Sequence, residues 1–513
     1  MQKVIIIYMP LKVKILDILS GKRAIILNKA DADHIGVELL DRVKVVHENN
    51  TLTAIAEISE DTKLVPRGQI GFYKEIASEI GALNGEQADV SLAKTPMSVT
   101  YIRKKVKGKT LLPKEIGSIL QDTVALNLSE LEIAAFLLAQ EFYGMNMDEV
   151  EALTKGMIKT GDVLELPGKV VDKHSIGGVP GNKVSLLIVP IIASTGLYIP
   201  KTSSRAITSP SGTTDTMSVL ANVEFSIEEL RKIVMKVRGS IVWGGALNLA
   251  PTDDIFIRVE HSLSIDPKSQ MLASIMSKKA AEGISYLVLD LPTGKGAKVE
   301  TAAQANSLAA DFVELGKRLG ITVRCGITYG GQPIGRAIGP ALEASEALSA
   351  LINPEEASKS LVGKSTALAG ILLELTGFAG KGQGEGVAME ILRNGKAYEK
   401  FKEIIEAQGG NPNIKPEMIP LGKNIYQIIS ETDGYVTSVD NQVINDVARA
   451  VGAPMEKGSG IIIHAKQGYK VEKGQVLMEI FAERATKLQE ALSICNYEKP
   501  ILVESMLLST YPV

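Results

Sequence analysis

The chain is poor in the residues that would announce several common functions. Its 513 residues include two cysteines, Cys325 and Cys495, too few and too far apart for a disulfide framework or a cysteine-rich metal site. Five histidines (His34, His47, His174, His261 and His464) are scattered and form no HExxH pattern, which argues against a catalytic zinc. Aromatic residues make up 4% of the chain, which weakens a reading based on base stacking. A net charge of −3 gives no bulk attraction to nucleic acid or membrane. The opening run Val4–Met9 is apolar but too short to span a bilayer and lacks a cleavage signal, so it reads as a buried first strand. These absences point to a cytoplasmic protein with neither a nucleic-acid nor a membrane partner.

What is present fits a large globular enzyme. The length exceeds one hydrophobic core and implies about three or four domains. Residues 1–93 alternate in short apolar runs (Lys12–Leu16, Ala24–Leu27, Val43–Val46, Ala54–Ile58) and predict a small β-rich domain, plausibly a barrel. From Thr95 the apolar spacing becomes helical, over Glu115–Leu126, Glu130–Tyr143 and Met147–Met157, with Ser129 and Glu132 forming a capping-box signature. Strands and helices then alternate from Val170 to about Ala379, which argues a sheet flanked by helices. The expected division is 1–93; 94–165 with about 252–282, helical; 166–251 with 283–415, α/β; and 424–513, α+β. Gly380–Gly386 and Gly409–Pro412 read as linkers to that last domain. Its pieces Asp433–Val436 and Gly468–Leu477 resemble the hammerhead of biotin- and lipoyl-type carriers. No lysine stands in a carrier tripeptide at the expected turn, so a packing role is expected.

Three segments carry chemistry. Asp172-Lys173-His174-Ser175-Ile176-Gly177-Gly178-Val179-Pro180-Gly181-Asn182-Lys183-Val184-Ser185 joins an apolar strand to an apolar helix, so its backbone N–H groups gather at a helix start that favours an anion. Lys173 adds a charge and Ser175 a hydroxyl. Neither GxxxxGK[ST] nor GxGxxG occurs there. The second segment, Ser203–Asp215, offers the hydroxyls of Ser203, Ser204, Ser209 and Thr213 and the guanidinium of Arg205; helix capping by Ser211 or Thr213 would account for one hydroxyl, not the cluster. The third runs from Asp253 to Lys279. Ser274 and Lys278 share a helical face, and Asp266 precedes Pro267 at a helix start.

These segments resemble the signature regions of the thymidine/pyrimidine nucleoside phosphorylase family, and the match continues through Gly330–Glu343. It covers the chain from about Thr95 to Val513. Within that family the likeness is to an archaeal branch acting on nucleoside 5′-monophosphates, which has an extra N-terminal domain and reads SIGGVPGNK, SSRAITS and LSIDP. The implied fold is multidomain α/β of the type II nucleoside phosphorylase kind, with a β-rich N-terminal domain, a helical domain, a central α/β domain and a hammerhead-like C-terminal domain. The implied phosphate ligands are Lys173, Ser175, Ser185, Ser203 and Thr213. His174 matches the family's active-site histidine, and Arg258, Ser274 and Lys278 match its base-binding trio. In the nucleotide-using branch, Gly178, Ser204, Arg205, Ala206, Ile207, Thr208, Ser209, Thr213, Ser274 and Lys298 match nucleotide contacts, and Asp266 matches a proposed proton donor.

The chain departs from the nucleoside enzymes at Pro180 and at Ala206–Pro210, which leaves room for a 5′-phosphate. The resemblance therefore implies phosphorolysis of AMP, and of CMP and UMP, to free base and ribose 1,5-bisphosphate. No metal or cofactor is expected, with phosphate as co-substrate. It also implies at least a homodimer, formed through the helical domain, with the C-terminal domain able to build a larger homo-oligomer. Three other readings stay open at this point: a thymidine or uridine phosphorylase, a magnesium-dependent anthranilate phosphoribosyltransferase, and a nucleotide-binding regulator without turnover. Which of the two loops holds the attacking phosphate and which the 5′-phosphate is also open.

Overall fold

Alternating apolar residues in the first ninety positions close into a barrel. A computed structural model describes residues 8–206 and 209–507. Strands β1 (Met9–Leu16), β2 (Ala24–Asn28), β3 (Arg42–His47), β4 (Asn50–Ser59), β5 (Gln69–Tyr73) and β6 (Gln87–Leu92) follow one another in the order β1-β5-β2-β4-β3-β6, and β6 pairs back onto β1. Inward residues such as Val13, Ile25, Leu27, Val43, Val45, Ile70 and Phe72 fill its core. Two short helices, α1 (Lys29–Ile35) and α2 (Lys74–Ile80), end on glycines at positive φ. Of the expected opening strand Val4–Met9, only Met9 lies in β1, and residues 4–7 fall outside the described residues.

Helices α3 (Met97–Val106), α4 (Pro113–Val124), α5 (Glu130–Tyr143), α6 (Met147–Lys159) and α10 (Pro251–Leu263) follow the predicted helical spacing. Ser129 caps α5, and Glu132 returns the bond to Ser129 N at 2.8 Å. A buried ion pair, Lys105 Nζ to Glu149 Oε1 at 2.9 Å, ties α3 to α6. The barrel and these helices form one compact unit: the described residues up to Gly156, with Pro251–Met271.

The second unit comprises Met157–Ala250 and the described residues from Leu272 onward. Its centre is a parallel sheet. β7 (Val171–Ser175), β10 (Tyr286–Thr293) and β11 (Thr322–Tyr329) pair in the order β11-β10-β7. β8 (Ile199–Ser203) pairs with β9 (Gly239–Trp243), and a parallel bridge between Val170 and Tyr198 joins the two groups. The crossover helices are α7 (Ser185–Ala193), α8 (Thr213–Met217), α9 (Ile227–Val237), α11 (Lys268–Ala281) and α12 (Ala302–Leu319). Every residue of α7 is buried, so this short apolar helix is a core element, and each of its larger aliphatic side chains contributes about 1.5–3 kcal/mol.

After β12 (Ala337–Ile338) come α13 (Pro340–Ile352), α14 (Lys359–Leu375), α15 (Gly384–Arg393) and α16 (Lys396–Ala407), all in the α/β core. The expectation that Gly380–Gly386 is an interdomain linker needs correcting. It is the turn between two packed helices, and a Cβ on Gly384 would lie 2.1 Å from Gly370 O. The C-terminal part holds β13 (Asn424–Ile429), β14 (Gly434–Val439), α17 (Asn441–Ala450), β15 (Gly460–Ile463), β16 (Lys470–Val471), β17 (Val476–Ala482), α18 (Ala485–Tyr497) and β18 (Ile501–Glu504). β15 pairs with β12, which ties this part to the segment after β11.

Candidate active site

In a parallel sheet, side chains and loops at the carboxyl ends of the strands form the binding edge. That edge gathers the motifs of the second unit. The glycine-rich segment leaves β7, the serine-rich segment leaves β8, Lys298 follows β10, and Gly330–Gly339 follows β11. Gly177 and Gly178 sit at φ +84° and +86°, a region that L side chains rarely adopt. Gly178 is also needed for space, because a Cβ there would lie 2.6 Å from the Lys298 backbone nitrogen. The β7 and β10 loops thus close on each other through glycine.

β7 presents its residues alternately to two faces, and each face holds a buried charge cluster. Asp172 Oδ2 accepts from Lys201 Nζ at 3.2 Å and from Lys279 Nζ at 2.6 Å. Lys279 and the Thr202 hydroxyl both donate to Glu282 Oε1. Burial works against the Asp172 carboxylate, but Lys201 and Lys279 outweigh it and hold the group below the usual range. Burial raises Glu282 to about 7, with Lys279 opposing.

On the other face, Asp290 is fully enclosed. Its Oδ2 lies 3.8 Å from Lys173 Nζ and 2.9 Å from Lys364 Nζ and accepts from Asn182 Nδ2 at 3.2 Å, while Oδ1 accepts from Thr328 Oγ1 at 2.6 Å. Asn182 Nδ2 also donates to Ser175 Oγ at 3.1 Å, and Gly177 N donates to the same oxygen at 3.4 Å. Burial lowers Lys173 to about 8, Asp290 only partly restores it, and Lys364 adds to the fall.

His174 is half-buried. Burial, then Lys201, Lys279, Lys173 and Lys278, hold it well below the ordinary histidine value, so its ring is neutral at pH 7. Lys278 and Ser274 are half-buried on α11, and the Lys278 charge is felt at His174. Ser185 is buried at the first turn of α7.

The β8 loop is shaped by Asp215, which accepts from Ala206 N at 2.7 Å and Gly212 N at 3.0 Å. Gly212, not Ser211 or Thr213, is the N-cap of α8. Thr214 Oγ1 donates to Ser203 O at 2.9 Å, and Ser209 Oγ to Ser211 O at 3.3 Å. The Arg205 guanidinium, expected to grip an anion, is partly exposed and makes three contacts of its own. It pairs with Glu224 at 2.7 Å, lies 3.6 Å from Asp215 and stacks over Trp243 at 5.0 Å. Ile207 and Thr208 lie outside the described residues.

Asp266 and Arg258 belong to the first unit. Asp266 is exposed after α10. Arg258, with Ile255 and Val259, lines a cavity of about 610 Å³ walled by barrel residues including Arg42, Ala54 and Ile55 and by Leu128 and Ile133.

The sequence motifs missed Asp290, Thr328 and Lys364. A lone carboxylate inside the apolar run Leu287–Leu291 and a lysine on the buried stripe of α14 were the available signals. Lys183, counted with the anion loop, is spent on Glu346 at 2.7 Å and Ile334 O at 3.1 Å and fixes the segment after β11. Lys466 holds the same segment by donating to Pro333 O and to Gly335 O at 2.7 Å, so the hammerhead-like part uses its buried lysine structurally.

Comparison with known proteins gives the chain its relatives. Residues 167–398 match the family model "Glycosyl transferase family, a/b domain", 99–161 its helical bundle domain, and 435–499 the pyrimidine nucleoside phosphorylase C-terminal domain. The AMP phosphorylase of Thermococcus kodakarensis is 50% identical over 98% of this chain and 99% of its own length. The chain belongs to the AMP phosphorylase family. AMP phosphorylase of Pyrococcus furiosus (50%, 97% of this chain and 98% of that protein) and AMP phosphorylase 1 of Archaeoglobus fulgidus (48%, 96% and 97%) agree. Anthranilate phosphoribosyltransferase from Thermus thermophilus shares the fold, with a TM-score of 0.52 at 18% identity over 60% of this chain and 99% of that one. The AMP phosphorylases match over nearly the whole chain, so the barrel is part of what this family shares. Among the described residues no helix is long and apolar enough to cross a membrane.

Proposed function

We propose that the protein catalyses AMP + phosphate → adenine + ribose 1,5-bisphosphate, with CMP and UMP as further substrates. The observation that carries this reading is the excess of buried ammonium over carboxylate around Lys173 at the carboxyl edge of the parallel sheet, beside the Ser175 hydroxyl and the Gly177–Gly178 turn. Such a site favours a dianion and positions it without reorganisation. A phosphate oxygen forms the bond to C1′ as the C1′–N bond to adenine breaks. The bonding pair leaves with the base, which takes up one proton.

Lys173, Ser175, Ser185, Ser203 and Thr213 hold the attacking phosphate in this reading. Gly178, the segment from Ser204 to Ser209, Ser274, Lys278, Arg258 and Lys298 serve the nucleotide, and Asp266 supplies the proton to the base. The neutral His174 ring orients and does not protonate. Charge neutralisation by lysines leaves no step that requires a metal or cofactor. The protein acts in the cytoplasm as at least a homodimer.

The test is a panel of AMP, CMP, UMP, adenosine, thymidine and uridine, each with and without phosphate and with EDTA, scored by released base. Phosphate-dependent adenine release from AMP, insensitive to EDTA, is expected. Release from nucleosides alone would sink the monophosphate reading. Asp266→Asn is expected to slow AMP turnover by about two to four orders of magnitude, and near-normal turnover removes Asp266 from that role.

A further inference from the structure

Lys364 lies outside every motif that pointed to the site. It stands on α14, its side chain is 6% exposed, and its ammonium lies 2.9 Å from Asp290 Oδ2. Its N–H groups meet no aligned hydrogen-bond acceptor among the described residues. Lys173, 3% exposed, reaches the same carboxylate oxygen at 3.8 Å. Both other claims on Asp290 come from neutral donors, Asn182 and Thr328, so neither adds negative charge. Two buried ammoniums therefore share one carboxylate. An uncompensated buried charge is costly, and a fold tolerates it where a ligand of opposite sign completes the set.

We propose that Lys364 is a second ammonium ligand of inorganic phosphate at this site. Asp290 is its positioning residue and Thr328 fixes that carboxylate. This rests on the phosphorolysis reading above. The geometry has a simple logic. The Thr328 hydroxyl anchors one carboxylate oxygen. The other oxygen holds the Lys364 and Lys173 ammoniums close together, and through Asn182 it orients the Ser175 hydroxyl. A phosphate dianion beside Ser175 then meets two positive charges and a hydroxyl whose placement one buried carboxylate sets. Burial lowers both lysines, and Asp290 only partly restores them.

The experiment uses the full-length protein and its Lys364→Met variant. Titration calorimetry with inorganic phosphate alone is combined with steady-state kinetics in which AMP and phosphate are varied separately. Loss of a charged hydrogen bond should raise the phosphate Kd and KM about 10- to 100-fold while the KM for AMP moves less than about threefold. Lys364→Arg, which keeps the charge, should recover part of the loss; it also serves if the methionine variant does not fold. A folded Lys364→Met protein whose phosphate Kd stays within about threefold of the parent overturns the proposal. So does a rise confined to the KM for AMP, because the ammonium then serves the 5′-phosphate. A parent protein that binds phosphate but releases no adenine refutes the phosphorolysis reading. Even then, weaker phosphate binding by Lys364→Met still assigns the ammonium to phosphate.

Discussion

The two faces of β7 carry clusters made of the same chemistry and put to opposite uses. On the Asp172 face, Lys201 and Lys279 meet two carboxyl groups, Asp172 and Glu282, and the Thr202 hydroxyl donates to Glu282 Oε1. On the Lys173 face, Lys173 and Lys364 meet Asp290 alone. The first cluster is closed in the sense that each ammonium has its own carboxyl group, although Asp172 Oδ1 and Glu282 Oε2 accept no hydrogen bond among the described residues, and it fixes β7, β8 and α11 against one another. The second is one negative charge short. The imbalance, rather than the presence of lysine, is what the proposed phosphate site has and the Asp172 cluster lacks. Burial opposes the charged form of every lysine in both clusters. Asp172 and Glu282 outweigh it at Lys279, which rises above the ordinary lysine value, but not at Lys201, which is lowered; on the other face Lys173 falls to about 8 and Lys364 is lowered too.

The largest expected effect comes from breaking the closed cluster. Lys279→Met leaves two buried carboxylates facing Lys201, and urea unfolding should show a loss of about 3–5 kcal/mol. A loss below about 1 kcal/mol would mean that the cluster is not a brace. Next is Lys173→Met on the open face. Its stability should hold, because the substitution removes surplus charge. The value of kcat/KM for phosphate should fall about 10²- to 10³-fold, the scale for one oxyanion donor. Unchanged phosphate kinetics would contradict the contrast.

Lys173 in the free protein loses its proton near 8, well below the 10.5 of an unfolded chain. Phosphate binding needs the charged form. The phosphate KM should therefore be flat on this account below pH 8 and rise above it, by up to about tenfold per pH unit. The unfolded chain still holds that proton between pH 8 and 10.5. The ligand-free fold therefore gains stability from this group as pH rises through that window, and calorimetry with and without phosphate separates the two trends. The smallest effect is expected at His174. Its ring is already neutral, so His174→Gln should cost less than about tenfold in turnover. A loss of about 10²–10⁴ would restore it as the acid or base.

Much of this was legible in the chain. The helical and strand periods gave the bundle and the alternating α/β order, and the glycine and serine motifs pointed to loops that the sheet brings to one edge. Loop-level reading ran out where partners came from distant sequence. The partners of Arg205, Trp243 and Glu224, come from later elements and could not be read from its motif. Lys183 looked like part of the anion loop, but Glu346 from α13 claims it. Lys173 stood out in its motif, yet the charge imbalance around it was invisible until Asp290 and Lys364 were set beside it. Gly380–Gly386 read as a linker because glycine signals both flexible chain and close helix packing, and sequence alone does not tell these apart.

The barrel has its own consequence. With β6 returned to β1, every barrel strand among the described residues has a neighbour on both sides, so those strands offer no open sheet edge to another chain. Such a ring can be carried, copied or discarded between proteins without leaving a sticky rim behind.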